Sequence, residues 1–388
     1  MKILQLHAGY RTPAGEDTVV GKEAEALRHA GHEVRQHIEQ NPSKATAAIS
    51  SLARSRRNRR VERDVLRAID EFGPDVAHVH NTWFALSSSV FDAAASRDMP
   101  IVMTIHNYRL GCLSVDLFRG DDVCTACVGR SPWPGVVHGC YRESRLLSAV
   151  CATEIVSTRR RGALDLVDRF VAPTGFMGDR LIDIGVPAAR LTIKPHFTDD
   201  AGARSAPPSA SNDVLFIGRL APGKGLHPLM RAWERYRSGH ENGLHLVVIG
   251  DGPLASELHE LAPRDVEFAG WLPYEEVRER MLAARALVFP SEWYEPFGMV
   301  LIEALSAGLP VIASTASDAA AITDTPETLV TRAGDEHELV RAFEALSDEL
   351  VDRVGADARR RYEAEFSEDV GVANLERLYA SVLDGHRR

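Results

Sequence analysis

The sequence predicts an α/β protein of two doubly wound domains facing a central cleft. Three observations carry that expectation. Apolar runs of strand length alternate with helix-length segments along the chain, the pattern of parallel sheets covered by helices on both faces. A small, polar, proline-bearing stretch at 201–212, AGARSAPPSASN, interrupts the alternation, which then restarts. The length, 388 residues, suffices for two separate cores.

The elements follow in order. Residues 2–6 read as a strand, 20–30 as a helix ended by Gly31, 33–37 as a strand and 60–71 as a helix. Residues 76–80 and 101–105 read as buried strands, each opening into a polar loop. Short strands at 170–172 and 191–194 finish the first half. After the interruption come strand 214–217, helix 226–236, strand 244–249, helix 254–261, strand 266–268 and helix 274–284. The apolar run 286–289 stops at Pro290, helix 299–307 is ended by Gly308, and Pro310 opens another strand. Residues 335–379 read as helical, ahead of a basic tail. The expected domains are 1–200, with a cysteine-rich loop at 112–140, and 213–365, joined by the linker 201–212. A C-terminal helix over 366–388 is expected to return to the first domain.

Composition narrows the function. Hydrophobic residues make up 45% and charged residues 26%, as in soluble globular proteins. No apolar run approaches the roughly 20 residues that span a bilayer. The opening MKILQLHAGY lacks the features of a secretory signal, so a cytoplasmic protein is expected. A net charge of −10 argues against a general nucleic-acid binder. Neither half opens on a G-x-G-x-x-G turn, which leaves a dinucleotide dehydrogenase with little support. Charge is unevenly placed, however. Residues 53–63, ARSRRNRRVER, carry six arginines against Glu62. Either this is a solvated helix face, or it meets anionic lipid headgroups or an acceptor's phosphate at the inner face of the plasma membrane. Arg159, Arg160 and Arg161 form a shorter cluster with the same two readings.

The most informative stretch is 290–314, PSEWYEPFGMVLIEALSAGLPVIAS. A tight strand-to-helix turn offers the amides of Phe297, Gly298, Met299 and Val300 to an anion. Glu295 stands before that turn, and Glu303 lies four residues past Met299 on the same helix face. Two carboxylates beside a phosphate-sized pocket suit a phosphate joined to sugars, because carboxylates accept hydrogen bonds from diols. Upstream, VLFIGRLAPGKG runs from a strand into a glycine-bearing loop with Arg219 and Lys224, two cations able to neutralise a diphosphate. Glycines at Gly250 and Gly252 close the next strand, and Gly270-Trp271-Leu272-Pro273 the one after.

Taken together, these segments resemble the retaining glycosyltransferases of family 4 (glycosyl transferases group 1), which have the GT-B fold of two Rossmann-like domains. Glu295 and Glu303 stand where the E-x7-E motif has its acids, and Arg219 to Gly225 matches the G-R-x4-K-G element. The resemblance covers essentially the whole chain and is looser in the first half. It implies that Arg219 and Lys224 hold the donor's diphosphate, that Glu303 grips the ribose and that Glu295 grips the donor sugar. Gly250, Trp271 and Leu272 would enclose the base. His106, in Thr104-Ile105-His106-Asn107-Tyr108, matches the family's cleft histidine that contacts the donor sugar and phosphate. The loop at 9–17 matches the glycine loop after the first strand, with amides near Gly15 approaching the phosphates; two adjacent glycines are common there, and this chain has Ala14-Gly15. Glu16 and Asp17 are candidates to bond an acceptor hydroxyl or to cap the following helix. His80 and Asn81 end the strand DVAHVH and are acceptor-side candidates.

All five cysteines fall between Cys112 and Cys151. Cys112, Cys124, Cys127 and Cys140 include a C-x2-C knuckle, a spacing that suits a structural zinc with His138 as a substitute ligand. Unmodified cytosolic thiols are the alternative.

The expected activity is transfer of a hexosyl unit from a UDP- or GDP-sugar to a hydroxyl on a glycan, a lipid-linked intermediate or a small molecule. Catalysis is expected to need no cofactor, since Arg219 and Lys224 supply positive charge. A nucleotide-sugar epimerase or hydrolase, or a non-catalytic nucleotide-sugar-binding protein, would use the same donor grip.

Overall fold

The computed structural model describes residues 1–10, 15–41, 58–240 and 243–386. Arg54, Arg56, Arg57 and Ala14 lie outside the described residues. The chain divides into two compact units, one made of Met1–Leu117, Cys124–His196 and Gly371–Arg388, the other of Phe118–Val123 and Phe197–Val370.

In the first unit, strands β1 (Lys2–Gly9), β2 (Glu33–Gln40), β3 (Val76–Asn81) and β4 (Ile101–Thr104) pair in one parallel sheet. The hairpin strands β5 (Phe118–Arg119) and β6 (Asp122–Val123) fall in the second unit, and β7 (Arg169–Ala172) and β8 (Leu191–Ile193) complete the sheet in the order β2-β1-β3-β4-β7-β8. Strands β1, β3 and β4 are buried along nearly their whole length because helices cover both faces. The first helix runs Gly15–His29, and its neighbour Arg59–Phe72 ends at Gly73 in the left-handed conformation. Arg60 forms a two-pronged pair with Glu39 and also reaches Asp64, so this arginine is neutralised on its own surface. The closing helix Glu368–His386 belongs here: the Tyr379 hydroxyl meets His78 Nδ1 at 2.8 Å.

The second unit repeats the plan with β9 (Asp213–Ile217), β10 (His245–Ile249), β11 (Glu267–Gly270), β12 (Ala286–Phe289), β13 (Val311–Ser314) and β14 (Val330–Thr331). They lie parallel in the order β11-β10-β9-β12-β13-β14. Side chains alternate between two cores, as a sheet buried on both sides requires. Leu215, Val247 and Leu287 enter one with Leu301 and Ala304 of helix Met299–Ser306. Val214, Phe216, Val248 and Val288 enter the other with Trp233 and Phe343.

The stretch read as a linker is not a loose tether. Ala201 lies in the core of the second unit, Pro208 is buried, and the Arg204 guanidinium donates to the carbonyls of Met281 (3.0 Å), Ala307 (3.2 Å) and Ala284 (2.5 Å). Arg204, which also donates to Ala206 O, fixes this linker segment to the second unit.

Candidate functional site

In doubly wound sheets ligands collect beyond the carboxyl ends of the strands, where the strand order reverses. In the second unit that point lies between β9 and β12, since β9 continues through β10 on one side and meets β12 on the other. The loops after these two strands carry Lys224 and Glu295. The Lys224 ammonium donates to Glu295 Oε2 at 2.5 Å, and the Trp293 indole donates to the same oxygen at 2.7 Å. The Lys224 Nζ also stands 4.9 Å from the Trp293 ring centre. Glu295 is buried and Lys224 half-buried, so the pair sits in a sheltered recess.

The backbone of the two loops is stitched together. Glu292 N donates to Gly223 O at 2.8 Å. Gly225 has φ +72°, and a Cβ there would stand 2.0 Å from Pro290 O, so only glycine lets the loops close. Gly250 plays the same part between the β9 and β10 loops: a Cβ would meet Gly218 O at 1.9 Å. Arg219 projects into solvent from this frame, with no ion pair to any described residue.

Helix Met299–Ser306 begins just past Gly298, whose φ is +85°. The first internal bond runs from Leu301 N to Gly298 O, which leaves the Gly298, Met299 and Val300 amides at the helix start without an intrahelical acceptor. Phe297 is buried and packs against Phe366, so only its backbone serves the site. Glu303 is half-buried one turn in. Leu272 packs against the core, whereas Trp271 is 73% exposed.

The first unit gathers a second set of polar groups at the ends of β1, β3 and β4. His80 Nδ1 and His106 Nε2 share a hydrogen bond of 3.1 Å, and the His106 ring stacks on His196 at 5.2 Å between centres. Below them Lys194 donates to Glu23 Oε1 at 2.8 Å, and the second Glu23 oxygen lies 3.7 Å from His80 Nε2. Burial, then the neighbouring histidines, hold His80 and His106 well below the ordinary histidine range. His78 is depressed to about 4 chiefly by burial. Burial alone would raise Glu23, but the Lys194 ammonium beside it keeps the carboxylate below its usual value. The network is thus a set of neutral imidazoles around one buried ion pair.

Glu16, His80 and Asn81 line one recess in this unit, together with Trp83, His106 and Arg109. Glu16 Oε2 accepts from the Tyr10 hydroxyl at 3.1 Å and from Asn107 Nδ2 at 3.3 Å. Burial pushes its carboxyl up to about 8. Asp17 and Asn81 each have backbone partners. Asp17 accepts from Tyr10 N at 3.1 Å and pairs with His7 at 3.0 Å, tying the helix start to β1. Asn81 donates to Ala8 O and accepts from Trp83 N, which turns its amide toward the backbone.

Among the described residues no three cysteines bring their sulfurs within 4.8 Å of one another. No disulfide joins any of the five. Cys112 and Cys124 lie close enough to Cys127 to raise its thiol further, after burial. Cys140 instead packs beside Trp83, Leu113 and Cys151 in an apolar cluster. Among the described residues the single group of three metal-ligating side chains with donor atoms within 4.8 Å of one another is Glu23, His78 and His80. His78 is committed to Tyr379 and Thr104, and one Glu23 oxygen to Lys194, whereas Glu23 Oε2 and His80 Nε2 are buried without a hydrogen-bond partner.

Two family models match. One, described as Glycosyltransferase Family 4, covers residues 15–201; the other, described as Glycosyl transferases group 1, covers residues 211–349. The chain belongs to glycosyltransferase family 4. Glycogen synthase of Mycobacterium tuberculosis is 28% identical over 250 residues, covering 62% of this chain and 52% of that protein. This chain spans about half the length of the curated relatives it matches. Sucrose-phosphate synthase from Thermosynechococcus elongatus superposes with a TM-score of 0.71 at 17% identity, covering 99% of this chain and 100% of that one. Anabaena HepE, solved in complex with UDP, gives 0.70 at 17% identity over 98% and 100% of the two chains. These likenesses establish the GT-B fold, with its two parallel six-stranded sheets.

Within this family-4 frame the second unit brings Lys224 and Glu295 into contact, while Arg219 stands on the loop that carries Lys224. Sequence reading missed Trp293, which fixes Glu295, and the Glu23–Lys194 pair beneath His80. The alternation His78-Val79-His80 was the available signal, since residues two apart on a strand share a face. The arginine cluster at 159–161 is largely structural. Arg159 donates to Leu110 O at 2.7 Å and to Ile184 O at 3.3 Å, and Arg161 is held by Ser88 and Asp92.

Proposed function

We propose that this chain is a retaining glycosyltransferase that moves a hexosyl unit from a UDP- or GDP-sugar to an acceptor hydroxyl. The observation that carries the reading is the Lys224–Glu295 contact at the strand-order reversal of the second unit, beside a helix start with unspent amides. Donor binding replaces this internal ion pair. The diphosphate takes Lys224, Arg219 and the amides at Gly298 and Met299, and Glu295 turns to the hydroxyls of the sugar. Glu303 accepts from the ribose hydroxyls, while Trp271 and Leu272 flank the base. The bond from the anomeric carbon to the diphosphate oxygen breaks, and the bond to the acceptor oxygen forms on the same face. The acceptor's proton passes to the departing diphosphate, whose charge the two cations stabilise. That HepE was solved with UDP supports a nucleoside diphosphate as the leaving group.

The acceptor is assigned to the recess lined by Glu16, His80, Trp83, His106 and Arg109, where polar and aromatic groups able to hold a hydroxylated molecule converge. His106, on the rim of that recess, positions the donor sugar. A thermal-shift series with UDP, GDP and their hexose conjugates tests the donor assignment, because a ligand of the native state raises the melting temperature. No shift with any of them rejects it. Product analysis with donor alone then separates transfer from hydrolysis or epimerisation.

A further inference from the structure

The short helix Trp133–Val137 has two unlike sides. Its inner side is built for contact: Gly135 is buried, a Cβ there would stand 2.7 Å from Leu113 Cδ1, and Val136 packs on the cluster of Trp83, Leu113 and Ile155. Its outer side carries Trp133 and Val137, four residues apart and therefore one above the other. They are 59% and 61% exposed. The following helix, Arg145–Arg160, adds to this outer side, because Arg145 Nε donates to Val137 O at 3.0 Å. The next residue, Leu146, is 66% exposed. Three large apolar side chains thus share one edge of the first unit with no core beneath which to retire.

The charge around them runs against that of the chain. The whole protein carries −10. The segment 128–147 holds Arg130, Arg142 and Arg145 against Glu143 alone, and all three arginines are exposed. A tryptophan and two aliphatic residues in a segment rich in exposed arginines suit the headgroup region, where an indole is half in hydrocarbon and cations meet lipid phosphate. Among the described residues no helix is long and apolar enough to cross a membrane, so contact would be in the plane of the surface.

We propose that the face formed by Trp133, Val137 and Leu146, flanked by Arg130, Arg142 and Arg145, seats this protein on an anionic lipid bilayer. The docking element is therefore neither the 159–161 cluster, whose Arg159 and Arg161 are internally bonded, nor Arg60, which is paired with Glu39. The proposal stands apart from the transfer reaction, since its test needs neither donor nor acceptor.

The full chain is sedimented with vesicles of equimolar phosphatidylcholine and phosphatidylglycerol, and with phosphatidylcholine alone, at low and high salt. Binding is expected to the anionic vesicles at low salt, to weaken as salt screens it, and to move tryptophan emission to shorter wavelength. The triple variant Trp133→Ser, Val137→Ser, Leu146→Ser is expected to bind at least about tenfold more weakly. Arg130→Glu with Arg142→Glu should do the same while leaving the apolar face intact. Each variant alters exposed side chains, and an unchanged melting temperature confirms that it is folded. Wild-type protein left in the supernatant, or a triple variant that binds equally, overturns the proposal. So does a concentration-dependent dimer that the triple variant abolishes in the absence of lipid binding, which would assign the face to a second copy.

Discussion

Lys194 donates to Glu23 at 2.8 Å with only 3% and 1% of their side chains exposed, and the pair lies directly beneath the His80–His106 hydrogen bond. A buried ion pair costs solvation on both sides, and breaking one member strands the other. Lys194→Met should therefore lower stability by about 3–5 kcal/mol. Adding Glu23→Leu to that variant should recover much of the loss. Urea unfolding of the two single variants and the double variant checks this; additive losses would show that the pair is not coupled.

Lys224 faces Glu295 in the ligand-free protein and the diphosphate in the proposed complex. Lys224→Met should reduce turnover on the order of 100- to 1,000-fold, the usual cost of removing one group that stabilises developing charge. Glu295→Gln should keep the indole contact from Trp293 poorly and lose activity as well. Initial rates with a UDP- or GDP-hexose, beside circular dichroism of each variant, decide the matter. Full activity in both would remove the site assignment.

Glu303 is expected to act on donor affinity. Glu303→Ala should raise the donor KM about 10- to 100-fold, as loss of a hydrogen bond to a charged group predicts. A variant whose KM is unchanged and whose kcat alone falls would place Glu303 elsewhere in the reaction.

Glu16 gives the protein a pH dependence of known sign. Burial lifts its carboxyl from 4.5 to about 8, so the native state keeps a proton that the unfolded chain releases across that window. The stability this group contributes is whole below its ordinary value and is lost as pH rises through about 8. Glu16→Gln, which cannot ionise, should flatten melting temperature against pH between 4.5 and 8. An unchanged slope would show that the carboxyl is not held protonated.

The donor half of the site was legible because it is local in sequence. Glu295, the Gly298 turn and Glu303 lie within one strand–loop–helix unit, and the spacing sets Met299 and Glu303 on one helix face. The network of the first unit was not legible. Glu23 and Lys194 are 171 residues apart and meet only when the sheet forms. In the string GKEAEAL, Glu23 reads like any acid on a solvated helix. The spacing of the cysteines suggested a common metal ion, and nothing in it says that Cys140 also packs against Trp83 and Leu113. Composition marked 201–212 as a linker, and nothing in its letters says that Arg204 will bond the carbonyls of Met281, Ala284 and Ala307.

The path of the chain has a practical consequence for dissecting this protein. Residues 371–388 rejoin the first unit, where Glu376 meets His32 at 2.8 Å and Tyr379 meets His78 at 2.8 Å. A fragment stopped at residue 370 would strip a hydroxyl from the histidine network and uncover the surface that the last helix shields. Neither half can be excised as one continuous stretch of gene. Expressing the first unit alone calls for a graft of residue 371 onto residue 196, with a short bridge in place of 118–123.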